Sequence, residues 1–112
     1  MGADSFIAFY GVKITIDQTD QDTLNGLEAR TDSRLKDARH HGLHAYFGRP
    51  TEGEDYFFYV GHRIGRLGVE NDTYVQMPLD QLTEIAKSVQ ARLKEAGFRE
   101  RPALHLQLDA QF

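Results

Sequence analysis

The chain contains no cysteine. Disulfide bonds, thiolate metal sites and thiol nucleophiles are therefore excluded. It also has no excess of positive charge, since 13 lysines and arginines stand against 17 aspartates and glutamates and give a net charge of -4. Duplex nucleic acid and anionic membranes attract concentrated positive charge. We therefore expect neither duplex nucleic acid nor a membrane as a partner.

Long hydrophobic runs are absent as well, because no segment approaches the ~18 apolar residues of a membrane span. Residues 1–6 have neither the basic stretch nor the apolar stretch of a signal peptide, so we expect a cytoplasmic protein. The 112 residues are 40% hydrophobic and 27% charged. This composition is typical of a globular protein, and we expect one domain over residues 1–112.

Two segments alternate as β-strands do. In residues 6–16 the predicted inward face consists of Phe6, Ala8, Tyr10, Val12, Ile14 and Ile16. The opposite face consists of Ile7, Phe9, Gly11, Lys13 and Thr15. After Pro102, the last strand alternates inward Leu104, Leu106 and Leu108 with outward His105, Gln107 and Asp109.

The middle of the chain has four consecutive aromatic residues, from Tyr56 to Tyr59. A strand over residues 56–64 is apolar on both faces, so it is either covered on both sides or presents aromatics to a partner. We predict that residues 43–48 form a hairpin with it, and we leave open whether residues 73–77 add a short fifth strand. Parity places His62 inward unless a bulge at Gly61 turns it outward.

Helical spacing predicts two short helices, over residues 20–29 and 32–41, with Asp32 as a cap and Gly42 as a stop. A single irregular helix is the alternative. The clearest helix covers residues 78–96 and ends at Gly97. Its apolar stripe consists of Leu82, Ile85, Ala86, Val89, Leu93 and Ala96.

The order β-α-β-β-α-β predicts the ferredoxin-like (split βαβ) fold, which is a two-layer α+β sandwich. It has an antiparallel sheet of four or five strands, with the first and third strands in the middle and the helices on one face. We expect one core, in which the helical stripe packs against Ile14, Phe58 and Leu106.

No catalytic motif stands out. Ser5, Ser33 and Ser88 lie in no nucleophile elbow. The absence of this motif does not exclude other kinds of enzyme, so the sequence does not decide whether the protein is an enzyme. His40 and His44 share a helix face only if the helix continues past Gly42, and nothing nearby completes a metal site. Residues 61–68 lack the spacing of a phosphate loop. We predict no metal and no cofactor.

The helix-free face of the predicted sheet is therefore the candidate site. Its aromatics, rimmed by polar groups, are typical of an exposed interaction patch. The predicted binding residues are Phe9, Phe57, Tyr59, Arg63 and His105.

Three hypotheses compete for this face. The favoured one is a binding module that forms a homo-oligomer or binds a protein partner through these aromatics. The second is a small-molecule-binding protein or enzyme with its site near Tyr59, Arg63 and His105. The third is stacking of single-stranded nucleic acid, but the sequence lacks the aromatic signature of RNA-recognition domains and carries the wrong net charge.

Overall fold

The computed structural model describes residues 5–48 and 55–109. Four strands form one antiparallel sheet in the order β2-β3-β1-β4. The strands are β1 (Ser5–Ile16), β2 (His44–Gly48), β3 (Tyr56–Gly68) and β4 (Ala103–Asp109). The α+β architecture and the antiparallel four-stranded sheet agree with the prediction.

In the described part of the chain the sheet has four strands, and the optional fifth strand over residues 73–77 does not form. These residues form no strand, and the neighbouring chain adds only an isolated bridge between Leu67 and Asp72. Two backbone hydrogen bonds hold that bridge, from Gly68 N to Asp72 O and from Asp72 N to Arg66 O. Pairing stops there, and Val75 instead lies against Gly65 of β3.

Three helices connect the strands: α1 (Gln21–Glu28), α2 (Ser33–His40) and α3 (Leu79–Ala96). The two-helix prediction for the first connection is confirmed. The Asp32 carboxylate accepts from Arg34 N at 2.8 Å and caps α2. Gly42 has a left-handed φ of 71° after α2, and Gly97 has a φ of 90° after α3, as helix-ending glycines do. Within the described ranges, no helix is both long enough and apolar enough to cross a membrane.

The main core lies between the helices and one face of the sheet. Val89 and Leu93 of α3 pack there with the inward residues of β1 and β3. The buried members of this core are Val12, Ile16, Leu24, Leu27, Ala38, Leu43, Phe58, Val60, Val89 and Leu93.

The predicted core position of Leu106 is wrong. Its side chain is 72% exposed, and its neighbours Leu104 and Leu108 are 51% and 38% exposed. Leu106 is exposed because the helices pack on the other strands: α3 packs on β1 and β3, and α2 packs on β2. This leaves the helix-side face of β4 largely uncovered.

A β-bulge interrupts the pairing of β1 with β3 at Ile64, not at Gly61. Phe9 pairs with Arg63 and the preceding Ala8 pairs with Gly65, so Ile64 is the extra residue. His62 lies before the bulge and pairs with Tyr10, which packs against the main core. His62 therefore keeps the inward parity predicted for it.

Candidate functional site

The five residues predicted as a binding site lie on one face of the sheet, opposite the helices. Phe9 of β1 pairs with Arg63 of β3 on one side and with His105 of β4 on the other. The Tyr59 ring is 5.5 Å from Phe9, 5.2 Å from Phe57 and 5.0 Å from His105, measured between centroids. The structure brings all five together, and their role in binding stays a prediction.

The aromatics of this face are buried within the single chain, which corrects the expectation that they are exposed. Phe9 and Tyr59 are 1% exposed and Phe57 is 2% exposed. Together with Ile7 they form a second core cluster, against which Tyr46 packs. A partner that docked on this face would gain little apolar burial from these rings.

Polar side chains from the outer and inner strands lie over these rings. Lys13 Nζ is 5.7 Å from the Tyr59 centroid and 5.8 Å from the Phe57 centroid, within cation-π range. It also donates to Gln107 Oε1 at 3.4 Å. The same oxygen accepts from the Tyr59 hydroxyl at 2.8 Å. Lys13 and Gln107, joined by these hydrogen bonds, therefore cover the aromatic cluster.

Two polar groups expected to meet a ligand have internal partners instead. Burial raises the pKa of the Tyr59 hydroxyl, which stays neutral and donates to Gln107. His105 Nε2 lies 3.1 Å from the carbonyl oxygen of Gly11. Of the predicted polar residues, Arg63 is the one with an exposed side chain.

Arg63 lines a notch at the rim of this face. The His44 notch is a cavity of about 280 Å³ lined by Phe9, His44, Ala45, Tyr46 and Arg63. Because β2 begins at His44, the Arg63 N–H has no strand partner and donates to His44 Nδ1 at 3.0 Å. Sequence reasoning missed His44 and Tyr46, although the parity of the second strand places both on this face.

His62 lies on the other side of His44. Their rings stack with centroids 4.7 Å apart. Burial lowers the pKa of His62, and its electrostatic interactions with His44 and Arg92 lower it further. A cavity of about 400 Å³ between α3 and β3 is lined by His62 together with Glu84, Ser88 and Arg92. Its mixture of opposite charges favours no simple cation or anion.

Histidines do not assemble a metal centre in the part of the chain that the structure describes, where no three His, Asp or Glu side chains converge. His40 lies at the end of α2 and packs against His41. His44 stacks on His62 instead. His40 and His44, which could bind a metal only as a pair, therefore have different neighbours.

The largest departure from the predicted surface is at β4. We define the leucine face as Phe6, Leu104, Leu106 and Leu108, which lie on the helix side of the sheet. Phe6 pairs with Leu108, so the four side chains form one continuous patch. Phe6 is 50% exposed. Across the described ranges, no backbone group pairs with the outer edge of β4.

Comparisons with protein-family models, with curated proteins and with solved structures find no match for this chain.

Proposed function

We propose that the protein is a protein-interaction module that binds a partner strand along β4. The observation that carries this proposal is that one strand combines an unpaired backbone edge with three exposed leucines. In strand addition, main-chain hydrogen bonds supply affinity and alternate side chains supply specificity. β4 offers both along seven residues.

The edge of β4 lacks the usual protection of edge strands. Natural edge strands are blunted by lysine, proline, bulges or inward charges. Apart from Asp109 at its end, β4 contains no lysine, arginine, aspartate, glutamate or proline, and it pairs with β1 without a register shift. An edge of this kind is a template for another strand.

The opposite edge of the sheet differs. β2 has five residues, and α2 packs against it. The two exposed residues of β2 are His44 and Ala45, and neither is a large apolar side chain. We therefore place the interaction at β4 and not at β2.

The sheet order supports the ferredoxin-like topology as our proposal for the fold, since β1 and β3 occupy the middle and β2 and β4 the edges. That topology hosts many unrelated functions. It adds nothing to the functional argument beyond making β4 an edge.

Hydrogen exchange tests the proposal. A synthetic peptide with the sequence of residues 103–109 is added in excess, and amide exchange along β4 is measured. We expect slowed exchange of the outward-facing β4 amides in the natural chain, because a strand pairs with them. Leu106→Lys puts a charge in the leucine face and abolishes the slowing, whereas Leu79→Lys, at a 77% exposed position on α3, retains it. Equal exchange in the natural chain and in Leu106→Lys overturns the proposal.

A second candidate function is favoured by the His44 notch. The Arg63 guanidinium is exposed beside the apolar floor formed by Phe9, a combination that suits a small aromatic carboxylate. A thermal-shift titration with benzoate tests it. We expect the melting temperature to rise in the natural chain and in His105→Gln but not in Arg63→Gln. An identical rise in Arg63→Gln rules this candidate out.

A further inference from the structure

We infer that the partner strand is β4 of a second copy of this chain, paired antiparallel about a two-fold axis at Leu106. Two four-stranded sheets then join into one sheet of eight strands. The inference rests on the proposed function of β4 and adds the identity and register of the partner.

The leucine pattern of β4 is self-complementary. In an antiparallel pair, directly opposite residues lie on the same face. With the axis at Leu106, this residue meets its own copy, and Leu104 meets Leu108 of the second copy. A two-fold axis at His105 would place Leu108 against Pro102. The register centred on Leu106 is the one that matches every leucine with a leucine.

The residues on the polar face of β4 are compatible with the same register. His105 then lies opposite Gln107 of the second copy, and no like charges oppose each other because residues 103–108 contain no lysine, arginine, aspartate or glutamate. Both residues already contact their own chain, through Gly11 and Tyr59. Their positions are thus fixed before association.

The helices leave room for this arrangement. Adjacent strands are about 4.8 Å apart, and α3 lies over β1 and β3. The two α3 axes are then separated by about four strand spacings, or roughly 19 Å. This exceeds the ~10 Å diameter of a helix, so the helices flank the leucines without colliding.

The available area predicts a weak dimer. From their exposed fractions, the four side chains of the leucine face expose about 400 Å² in each copy, a size at which surface patches are often functional. Edge-to-edge pairing covers only the parts of these side chains that face the second β4, and Phe6 lies on β1, one strand away from it. The buried area is therefore below the ~1,200 Å² at the lower end of stable interfaces, and we expect a weak dimer.

Disulfide cross-linking tests the register, and the absence of natural cysteine makes single-cysteine variants unambiguous. In Leu106→Cys the two Cβ atoms lie about 5 Å apart, near the span of a disulfide. We expect a covalent dimer under mild oxidation. Leu104→Cys alone forms no covalent dimer, because its two cysteines are four residues apart along the strand, about 13 Å. A mixture of Leu104→Cys and Leu108→Cys gives the mixed dimer.

The control is Leu79→Cys, at an exposed position away from β4. If Leu106→Cys cross-links no faster than Leu79→Cys, the inference is wrong. In that case, slowed β4 exchange with the added peptide would show that β4 still accepts a strand although two copies of the chain do not pair at Leu106, so the proposed function would survive. If the peptide has no effect on exchange either, both are wrong. Cross-linking of Leu104→Cys on its own would contradict the register.

Discussion

At the scale of single residues, Arg30 stands in a conformation that suits glycine. Its φ is 60°, and Thr31 N donates to Gly26 O at 2.8 Å, which closes a Schellman motif after α1. A left-handed residue with a Cβ costs about 1–2 kcal/mol. We expect Arg30→Gly to stabilise the fold by about 0.5–1 kcal/mol, since glycine's larger unfolded-state entropy offsets part of the relief. Urea unfolding measures it. Arg30→Ala is the matched control, and an equal gain there would contradict the explanation.

His62 makes the stability of the fold depend on pH. Because burial and nearby positive charges lower its native pKa below the ordinary value of 6.5, the unfolded chain binds the proton more readily. Stability is therefore intact above the ordinary pKa and is lost as pH falls through the lowered one. We expect His62→Gln to lose less stability than the natural chain between about pH 7.5 and 5.5. Denaturant unfolding at both pH values checks this, with the exposed His40→Gln as control. Parallel losses in all three proteins would contradict it.

The residues of the helix-free face show how much can be predicted about single residues from the sequence. Strand parity alone places Phe9, Tyr59 and His105 together, and the structure agrees. Parity says nothing about exposure, which here depends on all the side chains that cover the rings, among them Lys13 and Gln107, which are 94 residues apart in sequence. A contact between residues so far apart has no local signature. The side chains were therefore predictable as a group, and their burial was not.

At the scale of elements, α3 is fixed to the sheet by the C-terminal half of its apolar stripe. Leu93 is 3% exposed in the main core, whereas Leu82 is half-buried outside that cluster. We expect Leu93→Ala to cost about 2–5 kcal/mol and Leu82→Ala under about 1 kcal/mol. Urea unfolding of both variants measures the difference. Similar losses would mean that the helix packs along its whole length.

The helices themselves were predictable because each carries local end signals, such as Asp32 before α2 and Gly97 after α3. The position of β4 in the sheet was also predictable. Its coverage was not, because alternating leucines have the same pattern whether a helix or a second chain buries them. The strand that contains Leu106 was therefore predicted correctly, but the surface that packs against Leu106 was not.

At the scale of the whole molecule, the two edges of the sheet have unequal surfaces, and the excess apolar surface lies at β4. A fold that dimerises there is stabilised by mass action, since association favours the native chain. A hundredfold rise in concentration above the dissociation constant adds up to about 2.7 kcal/mol. For a domain of this size, that corresponds to a rise of about 10 °C in melting temperature.

The melting temperature of the natural chain should therefore increase with protein concentration. We expect the increase to disappear in Leu106→Lys, because a lysine at the two-fold axis would face the lysine of the second copy with no counter-charge on the leucine face. Differential scanning calorimetry over a hundredfold concentration range measures both proteins, with Leu79→Lys as the control that keeps the dependence. A melting temperature that does not change with concentration in the natural chain would mean that the leucine face stays solvated. The apolar surface of β4 would then need a partner of different sequence.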